Sequence, residues 1–386
     1  MIHNHIANNI CPTCQKTSQP LLDWKFSGLN NSVFNYTAKF YECVHCGLVY
    51  IENISEEKLS IFYSIECDYH DKEHFDIKSP ENVRKYQFYK DFIEKENFNY
   101  TQIADIGCGR GGFLLWLEKN GFSSKCIGVD VDTKSIPINN SSVLFYNGTA
   151  TQLPFKNSTQ SLLTYFHVFE HIKDLNLVLQ EANRVLIDNG YIVIEVPDAS
   201  RYEQYPIGTA FWFAIREHIY HFTANALCNL LNNNSFEVIK VEKELLPTPE
   251  FEYPSLMIMA KKSKNKSKVI FNFEENISLF LKKSKNQLQN QANMIEQKAL
   301  KYPTLVFWGC SSEFFSLLPL IKCKNIQICD SSKLKQQSSY NNIKINMPMN
   351  VDKNSYLIIA PYLYNKAIKE NALALGWEEE SIMVLI

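Results

Sequence analysis

The sequence predicts an α/β protein: a central domain of alternating strands and helices, a cysteine ribbon ahead of it and a shorter α/β unit behind it. Three observations carry that expectation. Ile103-Ala104 leads into Asp105-Ile-Gly-Cys-Gly-Arg-Gly-Gly112 and then Phe113-Leu-Leu-Trp-Leu117, an apolar strand, a glycine-dense turn and a helix. Cys11-Pro-Thr-Cys14 and Cys43-Val-His-Cys46 are two CxxC pairs at ribbon-length spacing. Thr304-Leu-Val-Phe-Trp308, Gly309-Cys-Ser-Ser312 and Glu313 to Leu320 repeat strand, turn and helix near the carboxyl end. The expected division is 1–75, 76–262, a linking helix within 263–300, and 301–386.

Each CxxC pair sets two thiolates on one tight turn, and together they can close a tetrahedral four-sulfur site around zinc. Four sulfurs saturate the ion, so the expected role is structural. Gly47 permits the second turn, and Val33, Tyr36 and Phe40 are expected on short strands between the pairs. His45, His3 and His5 read as solvated or hydrogen-bonded histidines rather than ligands.

The central unit is expected to open with a helix from Arg84 to Glu96. In the glycine turn a Cβ would collide with a ligand or forbid positive φ. The helix that follows offers unpaired N–H groups suited to an anion. Ile127-Gly-Val-Asp130 reads as a second strand ending in an acid, and a carboxylate there can accept both hydroxyls of a ribose. Next come Leu153-Pro-Phe155, the strand Ser161 to Phe166 and the stretch His167-Val-Phe-Glu-His-Ile-Lys-Asp174. A helix through Asn183 to Gly190 and a strand from Tyr191 to Asp198 follow. Phe236 to Val241 and Ser255 to Ala260 form an expected terminal hairpin, and Lys261 to Lys268 a basic connector. Ile277, Phe280, Leu281, Leu288, Ile295 and Ala299 recur at helical spacing.

In the last unit Asn325 to Asp330 and Tyr356 to Ala360 are further candidates for parallel strands. Its single-glycine turn can hold an anionic group such as a diphosphate, or be a structural turn only. The unit is too short for a second copy of the central domain.

With 386 residues there is room for two or three cores. A net charge of −2 argues against a protein that lives on phosphate backbones. No apolar run is long enough to span a bilayer, and the start Met1-Ile-His-Asn-His-Ile has no signal-peptide pattern. Eleven cysteines without an export signal imply reduced thiols and a cytoplasmic setting.

Phe211-Trp-Phe-Ala-Ile-Arg-Glu-His-Ile-Tyr-His-Phe-Thr223 lies between the fifth strand and the hairpin. His218 is a candidate general base, with the neighbouring Glu217 able to orient the ring. His221 is expected to serve a cap or position a substrate, and the Thr223 hydroxyl suits a helix N-cap.

Gly-x-Gly-x-Gly with an acid at its start resembles motif I of class I S-adenosylmethionine (SAM) methyltransferases, and the later stretches follow in that superfamily's order. The resemblance implies a Rossmann-like class I methyltransferase domain. It places Asp105, Gly107, Gly109, Asp130, Thr149, Gln152, Phe166 and His167 at the cofactor. Thr149 stands where many such enzymes have an acid for the adenine amino group, so backbone and Gln152 are expected to serve there.

The domain order as a whole resembles bacterial sugar C-methyltransferases acting on nucleotide-linked keto-sugars. These combine an N-terminal Cys₄ zinc module, a central SAM domain and a C-terminal α/β domain that helps hold the substrate. The resemblance makes His218 of the Glu217-His218 pair the candidate base, a sugar or nucleotide-sugar the expected partner, and SAM and structural zinc the cofactors. Two departures leave C- and O-methylation both open. Ile215 replaces a tyrosine three residues before the histidine, and in Cys67-Asp-Tyr-His-Asp71 only Tyr69 could match another family tyrosine. An RNA methyltransferase gripping nucleic acid with its ribbon, and a non-catalytic SAM-fold interaction protein, are the alternatives.

Overall fold

The computed structural model describes residues 10–30, 32–63, 76–96, 98, 100–133, 136, 141–205, 207–208, 210–248, 251–265 and 277–385. Tyr69, His3 and His5 lie outside the described residues.

The cysteine ribbon contributes β1 (Gln19–Lys25), β2 (Thr37–Glu42) and β3 (Val49–Ile51), paired antiparallel in that order. Phe40 lies on β2 as expected, whereas Val33 and Tyr36 fall in the turn before it. Helix α1 (Glu56–Ile61) follows, with Ser55 as its N-cap.

Next comes α2 (Pro80–Glu94), four residues earlier than its apolar periodicity suggests, because Ser79 caps it and Pro80 suits the first turn. The central sheet is built from β4 (Gln102–Ile106), α3 (Gly112–Lys119), β5 (Lys125–Asp130), β6 (Leu144–Asn147) and β7 (Gln160–Phe166). After these come α4 (Leu175–Val185) and β8 (Leu186–Pro197). The helix expected through Gly190 stops at Val185, since Leu186 is extended and pairs with Gln160. Lys262 explains the clean stop: its ammonium donates to the carbonyls of Asn183 and Leu186 at 2.8 Å each.

The stretch beginning at Phe211 yields α5 (Phe211–Ala214), the two-residue β9 (Tyr220–His221) and α6 (Ala224–Asn233). A long hairpin, β10 (Phe236–Pro247) and β11 (Glu252–Lys262), completes the sheet in the order β10-β11-β8-β7-β4-β5-β6. Strands β4 to β8 run parallel, and β11 is antiparallel to both β8 and β10. The expected terminal hairpin is present and longer than its apolar cores, so Lys261 and Lys262 belong to β11 rather than to a connector. Strand β9 does not join this sheet. It pairs with β3, Val49 opposite His221 and Tyr50 opposite Tyr220, and so becomes the ribbon's fourth strand.

Helix α7 (Ile277–Ala299) buries Leu281, Leu288, Ala292 and Ile295 along one stripe. The last unit comprises β12 (Leu305–Trp308), α8 (Ser312–Leu317), β13 (Ile326–Cys329), β14 (Ser339–Tyr340), β15 (Ile343–Asn346), β16 (Tyr356–Ile359), α9 (Asn365–Ala374) and β17 (Ile382–Val384). Its sheet order is β14-β15-β13-β12-β16-β17, parallel except at β14. The helix expected to Leu320 tightens into a 3₁₀ turn at Leu318–Leu320, where Pro319 has no N–H to continue it.

Candidate active site

The turn after β4 wraps around the ends of β5 and β7. Gly107 adopts φ 71°, and its N–H donates to the Val129 carbonyl at 2.7 Å. A Cβ here would lie 2.6 Å from Cγ2 of Val168, so the side chain is excluded by packing. Gly109, at φ 52°, differs: a Cβ would meet nothing within 4 Å. Its surroundings are open, which suits close approach of a ligand to backbone. The Gly109 N–H donates to Oδ2 of Asp130 at 2.8 Å, while Oδ1 accepts from the Asp132 N–H at 3.1 Å. Asp130 is thus fixed at the carboxyl end of β5, where a ribose would be received. Asp105 is buried beneath the turn and accepts from Thr164 Oγ1 at 2.7 Å. Burial pushes its pKa up to about 7, Thr164 opposing and the charge on Asp130 adding. The open space at Gly109 and the acceptor oxygens of Asp130 would suit a ribose diol such as that of SAM. Thr149 and Gln152 face each other in an isolated bridge and are exposed.

Phe166 at the end of β7 stacks on Tyr89 of α2, centroids 3.9 Å apart and rings within 6° of parallel. His167 follows with φ 56°, a left-handed conformation uncommon for a side-chain residue and typical of functional turns. Its Nδ1 lies 2.9 Å from Glu170 Oε1 and its Nε2 2.7 Å from the Tyr253 hydroxyl. Glu195, fully buried on β8, accepts from Ser255 Oγ at 2.6 Å and Tyr253 Oη at 3.2 Å. Burial works against a charge on His167, but Glu195 and Glu170 outweigh it and raise its pKa. Lys85 of α2 is depressed by burial, which the Glu195 carboxylate only partly offsets.

His218, in the segment after α5, is buried, 7 % exposed, and its Nδ1 has no hydrogen-bond partner among the described residues. Its neighbours are not those expected. Glu217 makes no side-chain hydrogen bond among the described residues; its carbonyl instead lies 3.2 Å from Nδ1 of His171. That contact fixes the His171 ring, whose centroid is 4.8 Å from that of His218. One donor or acceptor atom each of Glu170, His171 and His218 lies within 4.8 Å of the others. Burial, reinforced by His171, His221 and His167, holds the His218 pKa well below 6.5. Burial opposes the Glu170 charge, yet His171 and His167 keep its pKa below the ordinary value. The result is a neutral imidazole beside an ionised carboxylate whose Oε2 has no hydrogen-bond partner. The trio's spacing would also admit a cation, but Oε1 of Glu170 is already engaged by His167.

His221 is not the cap of α6. Thr223 is the N-cap, accepting from the Ala226 N–H at 3.0 Å. The His221 ring is 1 % exposed among Phe40, Phe213 and Tyr202, with both nitrogens unpaired. Arg216 reaches outward instead. Its Nη1 donates to the Ser27 carbonyl at 2.8 Å, and its guanidinium lies over Phe34 of the ribbon and Phe315 of α8, 4.8 and 5.1 Å from the ring centroids.

The four cysteine sulfurs of the ribbon all lie within 4.8 Å of one another, Cys11 to Cys46 at 3.6 Å and Cys14 to Cys43 at 3.4 Å. Zn–S bonds of about 2.3 Å in a tetrahedron put sulfurs about 3.8 Å apart, so the cluster fits such an ion. Gln15 and Gly47, each one residue past a pair, take φ 60° and 78° and close matching turns.

The last unit repeats the anchoring seen at Asp130. Asp330, just past β13, accepts from the Cys310 N–H at 2.7 Å through Oδ2 and from the Ser332 N–H at 2.8 Å through Oδ1.

Residues 81–241 match the family model described as a methyltransferase domain. The chain is 26% identical over 131 residues to the uncharacterized methyltransferase YcgJ of Bacillus subtilis, covering 29% of this chain and 51% of that one. It is 27% identical over 101 residues to ajmaline N-methyltransferase of Rauvolfia serpentina, covering 24% of this chain and 34% of the relative. The chain therefore spans about half or less of the length of these curated relatives. Among solved structures, the 1,6-didemethyltoxoflavin-N1-methyltransferase of Burkholderia thailandensis superposes with a TM-score of 0.42 at 15% identity, covering 59% of this chain and 96% of that one. With its strand order, its glycine turn and the matched family model, the central segment carries the class I SAM-dependent methyltransferase fold.

Proposed function

We propose that this protein transfers a methyl group from SAM to a sugar, most simply a nucleotide-linked one, with His218 as general base. The observation that carries the reading is a buried, neutral His218 next to an ionised Glu170, close to the β7 turn that borders the cofactor site. SAM supplies an electrophilic methyl on its sulfonium. Gly107 and Gly109 shape the backbone cradle, and Asp130 holds the ribose. The neutral imidazole of His218 can take a proton from an acidic carbon or a hydroxyl of the acceptor. His171, held by the Glu217 carbonyl, keeps the ring in place, and Glu170 stabilises the positive charge that follows proton uptake. The sugar assignment is supported by the order of ribbon, SAM-fold sheet and second α/β unit. A small-molecule acceptor is also in keeping with the name of the ajmaline N-methyltransferase relative. The four cysteines are proposed to hold a structural zinc.

The test is mass spectrometry of a panel of nucleotide-sugars incubated with the protein and methyl-labelled SAM. Label on a sugar carbon or hydroxyl is the expected result. Label in RNA alone, or none with SAM bound, overturns it.

A further inference from the structure

We propose that the cysteine ribbon is a positioning element of the acceptor site, its metal knuckle setting the place of His218 through strand β3 and the carbonyl of Cys46. The inference rests on the proposed roles of His218 and of a ribbon-bound zinc. The segment after His218 is held on two edges. On one, the Ile51 N–H donates to the Ile219 carbonyl at 2.9 Å, and β9 continues the ribbon sheet. On the other, the Ile219 N–H donates to the carbonyl of Glu170 at 2.8 Å, and Tyr220 Oη donates to the Lys173 carbonyl at 2.7 Å. The turn bearing Glu170 and His171 is therefore registered against the ribbon through residues 219–221.

The second link passes through the knuckle itself. The carbonyl of Cys46 accepts from Thr223 Oγ1 at 3.1 Å and from Asn225 Nδ2 at 3.3 Å. Cys46 would be a metal ligand, and its carbonyl direction is set by the knuckle turn, where the Gly47 N–H donates to Cys43 at 2.8 Å. Asn233, at the far end of α6, donates to the Thr13 carbonyl within the first knuckle at 2.9 Å. Both ends of α6 thus rest on ribbon backbone whose shape depends on the four sulfurs being drawn together. Loss of the ion would loosen β3 and α6, and with them the short span carrying His218. A misplacement of about 1 Å at a reacting group can cost on the order of 10²-fold in rate.

Coupling of this kind is reciprocal: if the metal steadies the segment, the segment must steady the metal. The experiment uses the zinc-loaded full chain and follows zinc release to a chromogenic chelator, together with amide exchange of residues 218–222. Thr223→Val and Asn225→Ala should each release zinc about two- to tenfold faster, the effect of one lost hydrogen bond. Both should raise exchange at 218–222, keep SAM affinity, and lower turnover. Thr223→Ser, which keeps the hydroxyl, should restore all of these. Because Thr223 also caps α6, Asn225→Ala gives the same readout without touching the cap. Wild-type zinc release and exchange in both variants, or Thr223→Ser no better than Thr223→Val, overturns the proposal. Zinc release and exchange need no acceptor, so a protein that shows both effects yet methylates nothing keeps the coupling and refutes the activity.

Discussion

His171 and His218 meet edge to face, their planes at 75°, although 47 residues separate them in the chain. The contact gives His218 a rigid neighbour, and both rings lie beside the charge on Glu170. His218→Asn should therefore keep SAM binding and lose turnover by about 10²–10⁴-fold, the size of a general-base contribution. Single-turnover kinetics with labelled SAM and calorimetry measure the two quantities separately. Because the His218 pKa is depressed, the neutral ring persists below pH 6.5. The chemical step should hold its rate as pH falls from 7.5 to about 6; a loss centred on 6.5 contradicts this environment.

Glu217→Gln should change turnover by less than about threefold. Only the main-chain carbonyl of Glu217 meets the cluster, and that survives the substitution. Glu170→Gln should cost far more, since it removes the charge that stabilises an imidazolium. Comparing kcat for the two variants checks which carboxylate serves His218.

Asp130→Ala should weaken SAM binding by about 1.5–3 kcal/mol, roughly 10–150-fold, through loss of charge-assisted hydrogen bonds to the ribose. Calorimetry with SAM reads the change. Unchanged affinity would take Asp130 out of the cofactor site.

The buried ring of His221 makes a stability prediction with a definite sign. Burial lowers its pKa from 6.5 to about 3. Below pH 6.5 the unfolded chain binds a proton that the folded chain refuses, so stability falls as pH drops toward 3. At pH 5 the penalty is about 2 kcal/mol. His221→Phe, which suits a cage of aromatic rings, should remove that part of the pH slope. Denaturant melts of both proteins at pH 7.5 and 5 give the comparison.

Elemental analysis should find one zinc per chain, and Cys14→Ser should lower both zinc content and the unfolding midpoint. Because the site is closed by four sulfurs, protein that stays folded should keep its SAM affinity. An iron–sulfur absorption band would contradict the assignment.

The glycine turn and the strand ending at Asp130 were legible because their signals are local. Glycines, an initial acid and an apolar strand stand within a dozen residues, and a 21-residue step reaches Asp130. The CxxC pairs were legible for the same reason. The polar cluster around His167 was not, since Glu170, Glu195, Tyr253 and Lys85 come from four separate elements. A signal did exist in His167-x-x-Glu170-His171, where spacing of three lets a carboxylate reach back to a ring. Strand β9 was invisible because two residues carry no periodicity, and its pairing with β3 is a long-range event. The Glu217–His218 adjacency gave no side-chain contact because Glu217 lies in a turn, closed by the His218 N–H donating to the Ile215 carbonyl at 3.1 Å.

Arg216 has a consequence for how such a protein can be altered. A guanidinium gripped between Phe34 and Phe315 makes one side chain answer to two partners from opposite ends of the chain. A chimera importing a foreign ribbon or a foreign C-terminal unit must supply a ring at the matching place. Otherwise Arg216, two residues from His218, loses one of its two aromatic faces. Exchanging either end alone would remove one of the two rings on which Arg216 packs, so the three parts share a single joint.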